Sequence, residues 1–185
     1  MLADEVHSAL TYPGAYHVVA ASLDPATVVT VTAASKAWNI PGLKAAQVVL
    51  TDDGDAATWA AYFTGEKVGV GTFGLLATAA AYADGVPWLD EVVARLDANR
   101  HLLARLVPDL LPHARLHPTT ATYLAWIDMS AYGWDMPAQH LLEHARVAVS
   151  EGTWYGPGGE GHIRFNFASA EPNLVEMVER IASVA

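Results

Sequence analysis

Apolar and polar residues alternate through Val29-Thr30-Val31-Thr32, and a β-branched run with that period predicts a strand. Gln47–Thr51 is a second, more continuous apolar run and predicts a buried strand, followed by a turn at Asp52-Asp53-Gly54. The first residues, Met1-Leu2-Ala3-Asp4-Glu5, read as the end of a buried strand. Tyr12-Pro13-Gly14 reads as a turn, and Ala20–Ala26 as a loop leading into the alternating run. Helical stretches follow at Ala56–Thr64 and Leu75–Ala83. From Pro87 onward, Leu89, Val92, Val93, Leu96, Leu103, Leu106 and Leu110 recur mostly at i, i+3, i+4, i+7, the pattern of a long amphipathic helix. Pro87 suits its first turn, Asp90 and Glu91 lie near the positive end of its dipole, and Pro108 and Pro112 close it.

Beyond that helix the pattern predicts a strand at Ala114–His117, a strand at Thr122–Asp128 and a helix at Pro137–His144. Strands at Val147–Ser150 and His162–Ala168 and a helix at Pro172–Val184 complete it. Alternation in Thr122–Asp128 fits a sheet covered on one face by helices. The fold class is therefore α/β, with a boundary at Gly85 separating residues 1–84 from 85–185.

Composition narrows the function more than the fold. The chain has 185 residues, 52% hydrophobic and 16% charged, enough apolar material for a core. No run is long enough to span a bilayer and no basic-then-apolar leader is visible, which predicts a soluble protein without a membrane partner. The absence of cysteine excludes disulfides and thiolate metal sites and fits a reducing cytoplasm. A net charge of −10 without any Lys/Arg cluster argues against nucleic acid as a partner.

Four places carry candidate chemistry. Lys36 follows the alternating strand through Ala33-Ala34-Ser35 and precedes the turn-rich Trp38-Asn39-Ile40-Pro41-Gly42. A lysine at the end of a buried strand, under an aromatic ring, is placed where desolvation favours the neutral amine. Such an amine is a nucleophile able to form a Schiff base with an aldehyde. By composition alone a surface lysine in a strand–loop connection is the favoured reading. Arg164 is the only arginine in an apolar alternating strand after the glycine-rich Gly156–Gly161, where a guanidinium can take a carboxylate through two parallel hydrogen bonds, or face water from an edge strand. Gly69-Val70-Gly71-Thr72-Phe73-Gly74 spells G-x-G-x-x-G, but no βαβ unit surrounds it, so it reads as a close-packed lead into a helix. His140 and His144 stand four apart on a helix, a spacing that suits a metal; with no third ligand evident, a solvated helix face suffices and no metal is expected.

Ser35-Lys36-Ala37-Trp38-Asn39-Ile40-Pro41-Gly42-Leu43 resembles the S-K-T-F-N-I-A-G-L segment of fold-type-I pyridoxal 5'-phosphate (PLP) enzymes, and within them the MalY/PatB-type cystathionine β-lyases, or C–S lyases. Asp4-Glu5-Val6-His7 is similar to the family's D-E-[VI]-[HY], Gly85–Asp90 to its G-x-P-W-L-D, and Tyr123–Trp126 to its T-Y-L-A-W strand. Gly156–Ala168 resembles its G-x-G-x-x-G-x-[IV]-R-[LF]-N-[FI]-A segment. The resemblance implies an aspartate aminotransferase-like fold: part of a PLP-binding large domain (1–84) and a small C-terminal domain (85–185), about the C-terminal half of a full enzyme. It implies Lys36 as the catalytic lysine, Asp4 at the pyridine nitrogen, His7 near the phenolic oxygen, and Ser35 and Lys44 near the phosphate. Arg164 would hold the α-carboxylate of an amino-acid substrate. Ala33 departs from the pattern, standing where the family carries a phosphate-binding hydroxyl. The implied activity is cleavage of cystathionine or cysteine S-conjugates to thiol, pyruvate and ammonia by a homodimer. An aminotransferase on the same scaffold, and an inactive fragment lacking the N-terminal half of the site, are the alternatives.

Overall fold

A three-stranded sheet organises the first part of the chain in the computed structural model, which describes residues 1–24, 28–62 and 69–185. Its strands are β1 (Leu2–Asp4), β2 (Val29–Thr32) and β3 (Gln47–Leu50), in the order β1-β2-β3. β1 runs parallel to β2, pairing Asp4 with Val31, and β3 runs antiparallel, pairing Thr32 with Gln47. β2 is thus the central strand, with Thr30 buried and Val29 and Val31 half-buried, so the buried position is a threonine and not a valine of the alternating run. β1 departs from the expected buried strand end: Leu2 is exposed, because β1 takes the outer position in this sheet. β3 is likewise only half-buried, with Val49 open to solvent.

Lys36 does not sit at a strand end. Ala33 is extended (φ −160°, ψ 150°), and Ala34–Ala37 then close one helical turn, α1. The small residues of this stretch carry no β-branched preference that would hold it extended. Asp52-Asp53-Gly54 is not a turn either. The Asp52 side chain accepts the Asp55 N–H at 3.0 Å and its carbonyl accepts Ala56 N–H, so Asp52 caps helix α2 (Asp53–Tyr62). Thr64, and residues 25 and 26 of the loop before β2, lie outside the described residues. The expected turn at Tyr12-Pro13-Gly14 is present, closed by Ala15 N–H on the Tyr12 carbonyl, with Gly14 at φ +86°.

Helix α3 (Thr72–Asp84) begins within the glycine-rich segment. Gly74 is buried there, and a Cβ on it would run into the Leu43 carbonyl, the close packing anticipated from the sequence. Helix α4 (Val86–Leu110) follows directly, with Pro87 in its first turn and Pro108 in its last.

Two units divide the chain, Met1–Val93 and Ala94–Ala185. The second contains the four-stranded antiparallel sheet β4-β5-β7-β6, formed by β4 (Arg115–Leu116), β5 (Leu124–Asp128), β6 (Ser150–Glu151) and β7 (His162–Asn166). Helix α5 (Pro137–His140) lies between β5 and β6, and α6 (Glu171–Ala182) follows β7. Ala125, Ile127, Ile163 and Phe165 point to the buried face. Leu174, Val178 and Ile181 form one apolar stripe on α6 at the i, i+4, i+7 spacing, and Leu96, Asn99, Leu103 and Val107 form another on α4. Each fully buried leucine, isoleucine or phenylalanine contributes roughly 1.5–3 kcal/mol.

Two expectations change here. The helix at Pro137–His144 is real, but its last turn, Leu141–Ala145, widens to a π-turn ending at Arg146 (φ +58°). Val147 then turns inward and donates its N–H to the Leu141 carbonyl at 3.2 Å. Val147 is therefore a buried helix exit, Ala148 is exposed, and only Ser150–Glu151 pair as strand β6. Among the described residues no helix is long and apolar enough to cross a membrane.

Candidate active site

Asp4 ends β1, exposed, its Oδ1 accepting the Val6 N–H at 3.1 Å. This short contact fixes the carboxylate at the point where the chain leaves the sheet. The next residue, Glu5, is buried and forms an anchor that the sequence did not reveal. Its Oε1 accepts the Ala20 N–H at 2.8 Å and its Oε2 lies 3.2 Å from His17 Nε2, while Glu5 N–H donates to Val31 O at 2.9 Å. The backbone beside Asp4 is therefore held both to β2 and to the Ala20–Ser22 turn. No periodicity links positions 5, 17 and 20, so sequence reasoning had no signal for it.

Asp4, Ser35 and Lys44 line one cavity of ≈ 290 Å³, together with Val31, Ala33 and Ala45. That is near the lower limit of small-ligand pockets, about 300 Å³. The sheet register explains the grouping. Asp4 pairs with Val31, one residue from the end of β2, so the chain following β2 turns into α1 beside the end of β1. Lys44 follows the Pro41–Leu43 turn in the left-handed conformation (φ +50°), which reverses the chain toward β3. Two predicted residues fall outside the cavity lining: His7, half-buried ahead of the Ser8–Leu10 turn, and Lys36, half-buried on α1. The expected aromatic neighbour of Lys36, Trp38, is committed elsewhere. Its Nε1 donates to Gly85 O at 2.9 Å, and its ring meets Tyr82 edge-on at 5.1 Å.

Arg164 belongs to the second unit. β7 lies between β5 and β6, so Arg164 is not an edge-strand residue facing water; it is half-buried. Its cross-strand neighbours are Trp126 and Ser150. Its guanidinium carbon stands 4.4 Å from the centroid of the Tyr155 ring, and Nη2 donates to Ser150 Oγ at 3.4 Å. Among the described residues it forms no ion pair with a carboxylate, so most of its donors are available to a ligand. Burial raises the Tyr123 phenol above its ordinary value, an effect the nearby Arg164 charge partly offsets.

His140 is stacked on Trp134 at 4.2 Å and lies 4.5 Å from His144. Among the described residues no group of three or more histidine and acidic side chains is placed to hold a metal.

Residues 1–181 match the aminotransferase class I and II family. The chain belongs to that family. It is 35% identical to the cystathionine β-lyase of Corynebacterium glutamicum over 188 residues, 100% of this chain and 50% of that protein. With cystathionine β-lyase PatB of Bacillus subtilis it shares 35% identity over 187 residues, 98% of this chain and 48% of the relative. The PLP-bound C–S lyase of Staphylococcus hominis superposes with a TM-score of 0.92 at 29% identity, covering 99% of this chain and 49% of that one. The fold is the α/β aminotransferase-type fold expected from the sequence, present in part. The chain spans about half the length of the relatives it matches, as the resemblance implied.

Proposed function

We propose that this chain carries the lysine-bearing half of a PLP-dependent C–S β-lyase, which cleaves cystathionine or related cysteine S-conjugates to a thiol, pyruvate and ammonia. The carrying observation is the single cavity that gathers the Asp4 carboxylate, the Ser35 hydroxyl and the Lys44 ammonium. That donor set fits PLP: a carboxylate for a protonated heteroaromatic nitrogen, and a hydroxyl and a cation for a phosphate. The family and the C–S lyase relatives support the same reading.

When bound, PLP supplies an aldehyde carbon and an electron-withdrawing ring. Asp4 would hold the proton on the ring nitrogen. Ser35 and Lys44 would hold the phosphate, Lys44 as a point charge, and His7 is the residue that the resemblance assigns to the phenolic oxygen. Lys36 would supply the amine for the aldehyde and, as the free amine, the base for the substrate α-proton. Arg164 would orient the α-carboxylate of the amino-acid substrate. The division into a cofactor domain, 1–84, and a small domain, 85–185, and the setting as a cytoplasmic homodimer, belong to this same proposal.

The test is to add PLP, reduce with borohydride, and map the modified residue by mass spectrometry. Modification at Lys36 that is absent in Lys36→Ala is expected. Modification that persists in Lys36→Ala refutes the role of this lysine, and none in the wild type marks an inactive fragment. Pyruvate release from cystathionine without added keto acid identifies the lyase. Strict dependence on a keto acid identifies an aminotransferase instead.

A further inference from the structure

We propose that Tyr155 is a positioning residue for substrate binding: its ring holds the Arg164 guanidinium in the orientation that receives an α-carboxylate. The inference rests on the reading of Arg164 as the carboxylate-binding residue.

An arginine side chain has four rotatable bonds, and a carboxylate that must select one rotamer from many binds less tightly for it. Three contacts narrow the choice for Arg164. β7 is an inner strand, so its backbone is fixed on both sides by β5 and β6. Ser150, directly opposite on β6, accepts one Nη2 hydrogen at 3.4 Å. Tyr155 covers one face of the guanidinium at 4.4 Å, a cation–π distance. The ring contact leaves the in-plane N–H groups unused, and these are the groups a carboxylate takes in pairs.

Tyr155 is itself well held. It ends the Gly152–Tyr155 turn that follows β6. A Cβ on Gly152 would collide with the Gly159 carbonyl, so the two backbone segments of this loop are pressed together. The Tyr155 ring meets Trp126 edge-on at 5.8 Å, and Trp126 is in turn stacked on His162 at 5.4 Å. The guanidinium therefore rests at the end of a packed series of rings. Tyr155 is nevertheless 47% exposed, so its ring is not an element of the buried core.

Steady-state kinetics of the holoenzyme on L-cystathionine test this. Tyr155→Leu is expected to raise KM roughly 3- to 10-fold with kcat unchanged, the signature of lost uniform binding. Tyr155→Phe keeps the ring and is expected to stay within about twofold of wild type. A wild-type KM in Tyr155→Leu, where Arg164→Ala does raise KM, overturns the proposal and leaves the role of Arg164 standing. A wild-type KM in Arg164→Ala removes the carboxylate reading itself. If Tyr155→Leu fails to fold, judged by loss of PLP fixation at Lys36, Tyr155→Met carries the test: a raised KM at constant kcat supports the proposal, and a wild-type KM overturns it. A raised KM in Tyr155→Phe also overturns it, since the hydroxyl would then be the active feature.

Discussion

The Trp38 indole donates a 2.9 Å hydrogen bond to the Gly85 carbonyl, tying the residue after the lysine-bearing turn to the junction of α3 and α4. A Cβ at Gly85 would press on both that indole nitrogen and the Ala81 carbonyl. Gly85→Ala is therefore expected to destabilise the fold by about 1–3 kcal/mol through overpacking. Trp38→Phe, which loses the donor and part of the packed ring, is expected to cost about 1–3 kcal/mol. Urea unfolding midpoints measure both, and a Gly85→Ala midpoint at the wild-type value would refute the close approach.

Asn99 is the buried polar residue in the apolar stripe of α4. Its Nδ2 donates to Phe167 O at 2.9 Å and to Ser169 O at 2.8 Å, fixing the chain as it leaves β7. Asn99→Leu keeps the branched shape but leaves two carbonyls without this donor. A loss of about 1–3 kcal/mol is expected, read as a lower thermal midpoint.

Asp128 ends β5 and accepts the Ser130 N–H at 2.9 Å. Hydrogen bonding from Ser130, ahead of the weaker influence of His162 and His117, holds its carboxyl below the ordinary value of 3.8. A depressed folded value means the contribution is complete above the unfolded value and is lost as pH falls through the folded one. Wild type should exceed Asp128→Asn in stability at neutral pH, and the gap should close below about pH 4. A gap that is constant with pH would remove the assignment.

Tyr123 provides an independent probe of the Arg164 charge. Burial raises its phenol above 10.0 and Arg164 opposes the rise. With a raised folded value, the associated stability is present below pH 10.0 and is lost as pH climbs through the folded value. Arg164→Ala should move the Tyr123 titration further up, read as the ultraviolet difference between each protein and its Tyr123→Phe counterpart. A downward movement would contradict the geometry.

Local pattern was enough to define most of the elements. The alternation of Val29–Thr32 marked β2, and Leu174, Val178 and Ile181 marked the buried stripe of α6. The ordered segments around Asp4, Lys36 and Arg164 were enough for the family. These features are readable because period and turn chemistry act over a few residues.

What the tertiary structure decided was every relationship with no period. Small residues between Thr32 and Lys36 fit strand or helix equally, and packing made them a helical turn. Val147–Val149 has the composition of a strand, but the Leu141 carbonyl draws Val147 inward before pairing can begin. Parallel pairing of β1 with β2 puts Asp4 beside Ser35 and Lys44, while Glu5 meets His17 and Arg164 meets Tyr155 only once the backbone is folded. Chain composition sets which groups are present. Their mutual distances are fixed by strand register and turn geometry, in which a one-residue slip would exchange the faces of the sheet.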